Sequence, residues 1–209
     1  MVVGRVRVDL ATCLTSKAPP VPTSVVTVRG TKNSQSILFK GKVVLTLHER
    51  YGKDTPQGIP GPIVPLGISP DRKWILYAID PMGSASLAAD GLPLHAISVN
   101  GGRSFPLPVV LAEDYRVWCG TRLVMTAGAD RLSTNNKWLA VSKPPDWHTR
   151  TFLRDAHVAF GSLVCDGNDV IVQSQPASTD ANFFHSHWSL YRVGFSGAMT
   201  RLTSPPAGY

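Results

Sequence analysis

Short apolar runs, each cut off by Gly, Pro, Asn or Asp, succeed one another along this chain and predict short β-strands joined by tight turns. One phrase, a hairpin turn running into an apolar strand, occurs three times. The first copy is Ile68-Ser69-Pro70-Asp71-Arg72-Lys73-Trp74-Ile75-Leu76-Tyr77. The second, with a shorter turn, is Trp118-Cys119-Gly120-Thr121-Arg122-Leu123-Val124-Met125. The third is Val164-Cys165-Asp166-Gly167-Asn168-Asp169-Val170-Ile171-Val172. Ser69, Cys119 and Cys165 fall at equivalent places, 50 and 46 residues apart. A period in that range, made only of short strands, marks a blade repeat of a β-propeller.

Each copy continues in the same order. After the first comes a third strand, Leu94-His95-Ala96-Ile97-Ser98-Val99, then the turn Asn100-Gly101-Gly102, then a fourth strand near Ser104-Phe105-Pro106-Leu107. After the last come Trp188-Ser189-Leu190-Tyr191-Arg192-Val193, the turn Ser196-Gly197 and Met199-Thr200-Arg201-Leu202-Thr203. Ser69 to Leu94 and Cys165 to Leu190 are both 25 residues. The middle copy is the least regular, with Trp138-Leu139-Ala140-Val141-Ser142, the turn Lys143-Pro144-Pro145-Asp146 and a strand near Thr151-Phe152-Leu153. An earlier hairpin over residues 37–47 predicts a partial blade. The domain plan is therefore N-terminal strands in residues 1–60 and propeller blades in 61–209, at about 61–110, 111–156 and 157–209. The expected class is all-β: a β-propeller with three clear four-stranded blades plus a partial N-terminal one, a set that does not by itself complete a ring. A β-sandwich is the alternative, because short strands with Gly and Pro turns suit both. No stretch reads as a long amphipathic helix; residues 84–90 end at Gly91 and read as a loop or a single turn.

The phrase Ser69-Pro70-Asp71 before a strand, Ile97-Ser98-Val99-Asn100-Gly101-Gly102, Leu190-Tyr191-Arg192-Val193 and Arg201-Leu202-Thr203 resemble the TolB-like (WD40-like) propeller repeat over about residues 60–209. The resemblance implies a propeller. It also implies a bacterial protein-binding scaffold acting beyond the inner membrane, or the propeller part of a prolyl-type peptidase. There are departures. The usual Gly after Ser-Pro-Asp is Arg72, the second copy lacks Ser-Pro-Asp, and the third keeps only Asp166-Gly167. No Gly-x-Ser-x-Gly elbow occurs, so the hydrolase half has no counterpart in this sequence. The copies fall short of the six blades the family implies, so the expectation is a truncated propeller, or a module completed by another chain.

Composition changes this picture little. The chain of 209 residues is 43% hydrophobic and 17% charged, enough apolar content for a sizeable core. The net charge is +7, but Lys and Arg are scattered with no run longer than Arg72-Lys73, so the reading is a solvated basic surface and no nucleic-acid partner. Three cysteines without close spacing suggest neither a zinc site nor a disulfide framework. Cys119 and Cys165 read as small buried side chains, with an inter-blade disulfide possible if the Cα atoms lie within about 7 Å. The first nine residues carry charges where a secretory signal needs an apolar core, and no run approaches a membrane span. Taken literally, that reads as cytoplasmic, against the extracytoplasmic placement the resemblance implies.

Candidate chemistry is sparse. Asp80 and Asp90, in the loop after the second strand of the first copy, could hold a cation or a cationic ligand, or cap turns. His185 and His187 lie two apart, so on a strand both would face one metal, though no third ligand is identified. Asp146, Trp147 and His148, and likewise Glu113, Asp114 and Tyr115, set carboxylates beside aromatics, as sugar-binding propellers and glycosidases do. Arg122 and Arg131 read as solvated or paired. No phosphate loop, dinucleotide fingerprint or serine triad is present. The reading is a non-enzymatic module with no cofactor. It presents Asp80, Asp90, Asp146 and Trp147 to a protein partner, and a homo-oligomer is open to it. The alternative is a propeller-type hydrolase acting on glycans or peptides, and a remnant reading frame without an independent fold is a third.

Overall fold

The computed structural model describes residues 25–31, 34–48, 63–79, 91–110, 115–128, 137–177 and 188–203. β-Branched and aromatic runs between glycine turns give strands throughout these segments, and no α-helix occurs among the described residues. β1 (Val26–Thr31), β2 (Ser34–Phe39) and β3 (Lys42–Leu47) form a three-stranded sheet, blade 1. β4 (Ile63–Ile68), β5 (Trp74–Ile79), β6 (Leu92–Ser98) and β7 (Ser104–Val110) form blade 2. Blade 3 holds β8 (Arg116–Cys119), β9 (Arg122–Ala127), β10 (Trp138–Lys143) and β11 (His148–Leu153). Blade 4 holds β12 (Val158–Asp166), β13 (Asp169–Pro176), β14 (Ser189–Gly194) and β15 (Met199–Arg201). Every blade is an antiparallel meander in chain order, so the early hairpin over residues 37–47 is β2 with β3.

The side-chain period of two turns each blade into a two-faced layer. Along β5, Ile75 and Tyr77 pack on Ile37 and Val44 of blade 1, while Leu76 packs on Leu123 and Met125 of blade 3. Along β9, Leu123 and Met125 face blade 2, and Val124 faces Phe160, Val170 and Val172 of blade 4. Strands buried on both faces explain the unbroken apolar runs. Each such Leu or Val contributes about 1.5–3 kcal/mol on burial. Each seam also carries a hydrogen bond between sheets. Ile63 N–H donates to Gln35 Oε1 at 2.8 Å, Arg116 Nη2 to Leu66 O at 3.0 Å, and Thr126 Oγ1 to Gly161 O at 2.7 Å. Antiparallel sheets stacked face to face in chain order are the blade arrangement of a β-propeller, with three four-stranded blades after a partial one.

The cysteines depart from the simplest sequence reading. Cys119 and Cys165 form a disulfide across the seam of blades 3 and 4, with Cα atoms 5.5 Å apart. Their equivalence in the repeat is also corrected. Cys119 pairs with Arg122 directly beside its turn, but Cys165 pairs with Val170, one step further from its turn, and Asp166 holds the place beside it.

Candidate functional site: the turn end of blades 1 to 3

In blade 2, the turns over residues 69–73 and 99–103 lie at one end of the sheet. Val99 N–H donates to Lys73 O at 2.9 Å and ties them together. The first of them is built by side chains. Ser69 Oγ–H donates to Asp71 Oδ1 at 2.5 Å and accepts from Trp74 N–H at 3.0 Å, while Asp71 Oδ1 accepts from Lys73 N–H at 3.1 Å. The Ser69 hydroxyl beside Asp71 holds its carboxyl below the usual carboxylate range, so it is ionised at neutral pH.

Blade 3 reaches this end through its turn over residues 144–147. Trp147 N–H donates to Lys143 O, and Trp147 O accepts from Ser142 Oγ–H, each at 2.9 Å. That anchors the Trp147 ring in the seam, edge-on to Trp74 at 5.3 Å and to Trp118 at 5.9 Å. Trp74 also meets Phe105 at 5.8 Å. Such aromatic pairs add about 0.5–1.5 kcal/mol each beyond the area they bury. Trp147 is only 3% exposed, and its Nε1–H has no hydrogen-bond partner among the described residues.

Three described residues other than glycine hold a left-handed backbone: Lys40 (φ 50°), Arg72 (φ 59°) and Trp147 (φ 55°). All three stand in turns of blades 1 to 3. Corresponding turns of blades 3 and 4 place glycine in this region: Gly120 (φ 62°), Gly167 (φ 61°) and Gly197 (φ 90°). A side chain there costs about 1–2 kcal/mol, so stability alone favours glycine. The Lys40 turn joins the group through Gly101. A Cβ on Gly101 would lie 3.0 Å from Val44 O, two residues from Lys42, so the second turn of blade 2 sits against blade 1.

This end is basic. Lys40, Lys42, Arg72, Lys73, Arg103 and Lys143 are exposed on these turns or at the strand ends beside them, with the exposed carboxylates of Asp71 and Asp146 among them. Arg103 lies over the Phe105 ring at 5.2 Å. An exposed Arg–Asp ion pair, Arg192 with Asp166 at 2.9 Å, lies instead on blade 4. Cations that look scattered in the sequence are thus gathered by the stacking of turns.

The other sequence candidates fall as follows. Asp146 is exposed and accepts from His148 N–H at 3.3 Å, capping its own turn. Trp147, read as a ligand contact, has its ring enclosed by Trp74 and Trp118. Arg122 is half-buried and lies over the Phe195 ring at 4.4 Å. His95 stacks on Tyr77 at 5.0 Å. Asp80, Asp90, Glu113, Asp114, Arg131, His185 and His187 lie outside the described residues. Among the described residues there is no group of three or more His, Cys, Asp or Glu that could hold a metal ion, and no helix long and apolar enough to cross a membrane.

No protein-family model matches the chain, and no curated protein does. Among solved structures it is similar to the WD40 domain of SCAP from fission yeast, at 12% identity and a TM-score of 0.39. The match covers 88% of this chain and 44% of that one, so the chain spans less than half of that neighbour's length.

Proposed function

We propose that the chain is a non-enzymatic propeller module of the TolB-like kind that acts as a protein-binding scaffold, with the turn end of blades 1 to 3 as a recognition surface. One observation carries the reading: Lys40, Arg72 and Trp147 all hold left-handed backbone at the same end, where corresponding turns use glycine. Backbone strain concentrates where side chains serve recognition rather than stability. In this reading Asp146 and His148 are contact residues. Trp147 is a positioning residue that fixes their turn against blade 2.

The test is site-specific photo-cross-linking from position 148 in cells, with position 164 on blade 4 as control, beside an assay of glycan and peptide hydrolysis on purified protein. A protein adduct from position 148 and none from 164 supports the scaffold. Turnover of a glycan or peptide that is abolished by Asp146→Asn overturns it in favour of a hydrolase.

A further inference from the structure

We infer that the turn end of blades 1 to 3 recognises an extended acidic segment of a protein, rich in Asp and Glu. This rests on the scaffold reading and names the chemistry of its partner. Six exposed cations, Lys40, Lys42, Arg72, Lys73, Arg103 and Lys143, stand on or directly beside turns drawn together by the Gly101 contact with Val44 and the packing of Trp147 on Trp74. Lys73 has Asp71 beside it, and among the described residues no carboxylate forms an ion pair with the other five. Unscreened cations on adjoining turns raise the local potential, steer an anionic partner and fix its register.

The backbone gives a second, independent indication. Two of the six, Lys40 and Arg72, occupy left-handed positions. A surface needing only solubility has many unstrained places for a cation. These two are instead held exposed on short turns, with Lys40 Nζ 5.5 Å from the Phe39 ring centroid.

The observations favour a peptide over a nucleic acid. Asp71 and Asp146 stand among the cations and would repel the uniform charge of a phosphate backbone, whereas a peptide can set an amide or a cation opposite them. Single-stranded nucleic acid also needs free aromatic faces on which bases stack. Here Trp147 is enclosed, and Trp74 and Trp118 are half-buried against it. The aromatic cluster is the rigid base under the turns, not a stacking platform.

The test is fluorescence anisotropy with a labelled peptide of alternating Glu and Gly-Ser, and, beside it, an oligothymidylate of equal charge. The expected result is saturable peptide binding that weakens as salt is raised. Binding falls at least about tenfold in the double variant Arg72→Glu/Lys143→Glu, and is unchanged in Arg29→Glu, an exposed cation on β1 outside these turns. Arg72→Gly separates recognition from structure, because it relaxes the turn yet is expected to weaken binding. Absence of saturable binding, equal loss in Arg29→Glu, or tighter binding of the oligothymidylate would overturn the inference. An adduct from position 148 with a protein that the acidic peptide does not displace would overturn this inference and leave the scaffold reading standing. Hydrolysis of a peptide abolished by Asp146→Asn would overturn the scaffold reading itself.

Discussion

Cys119 and Cys165 meet across the seam of blades 3 and 4 because they stand one register step apart in their hairpins. Successive residues of a strand point to opposite faces. Val117 and Cys119 face blade 4, and Leu163 and Cys165 face back toward blade 3. Asp166, the residue that matches Cys119 in its hairpin, reaches Arg192 instead. Cysteines at strictly equivalent places would point the same way along the stack and would not meet. Ser69 flanks its turn as Cys119 does, and it uses its hydroxyl to hold Asp71 and Trp74.

Removing the bridge with Cys119→Ser/Cys165→Ser is expected to lower stability. The cysteines are 46 residues apart. Closing a loop of that size limits the unfolded chain by about 4 kcal/mol in the chain-entropy account, and measured losses run about 2–4 kcal/mol. Denaturant titration reads the drop. The variant Cys165→Ser/Asp166→Cys keeps the number of cysteines but turns one of the pair to the wrong face, so a thiol assay should find two more free thiols than in the parent chain. A bridge in that variant would show the register argument to be wrong.

The blades were legible because their evidence is local. A turn such as Asn100-Gly101-Gly102, and strands such as Trp74 to Ile79 that are buried on both faces, leave an unbroken apolar signature. The partial blade at β2 and β3 was visible for the same reason. The disulfide was not decided by sequence, because its geometry depends on one step of register that an alignment of repeats blurs. The basic end was not visible either. Lys40, Arg72, Arg103 and Lys143 are far apart in the chain, and only the stacking of blades brings their turns to one surface. Trp147 was misleading in a different way. An aromatic next to Asp146 suggests a ligand contact, but whether the ring faces solvent or the seam depends on Trp74, a residue of another blade.

Arg72→Gly is expected to stabilise the protein by about 1 kcal/mol. Arg72 is exposed and left-handed at φ 59°, a conformation that costs a side chain about 1–2 kcal/mol and glycine nothing steric. The greater freedom of unfolded glycine returns part of that gain. Thermal and denaturant unfolding check the sign. Loss of stability would mean that the Arg72 side chain holds the fold together.

Gly197→Ala and Gly167→Ala should differ, although both glycines have positive φ. A Cβ at Gly197 would lie 2.7 Å from Phe152 O, a backbone atom of the neighbouring blade, with φ at +90°. At Gly167, with φ +61°, a Cβ meets open space. The first substitution must push blade 4 away from β11 and should cost at least about 2 kcal/mol, against about 1 kcal/mol for the second. Equal losses would show that the approach of the two blades at Phe152 is loose.

The pH dependence of stability should carry two separable marks. The Ser69 hydroxyl and the backbone N–H of Lys73 lower the Asp71 pKa below its ordinary 3.8. Between that lowered value and 3.8 the unfolded chain binds more protons, so this contribution is complete above 3.8 and is lost as pH falls through the folded value. Ser69→Ala should flatten that acid segment. Tyr77 behaves in the opposite sense. Burial pushes its hydroxyl above the ordinary 10.0, against the hydrogen bond with Ser104 that favours ionisation. The folded state then keeps a proton that the unfolded chain gives up, so stability is constant below 10 and falls as pH rises from there through the folded value. Tyr77→Phe removes that alkaline fall. It also removes the 2.7 Å hydrogen bond to Ser104, at a cost of about 1 kcal/mol at neutral pH. Unfolding free energies measured across both ranges, on the native chain and the two variants, assign each slope to its residue. An alkaline slope unchanged in Tyr77→Phe would place the responsible group elsewhere.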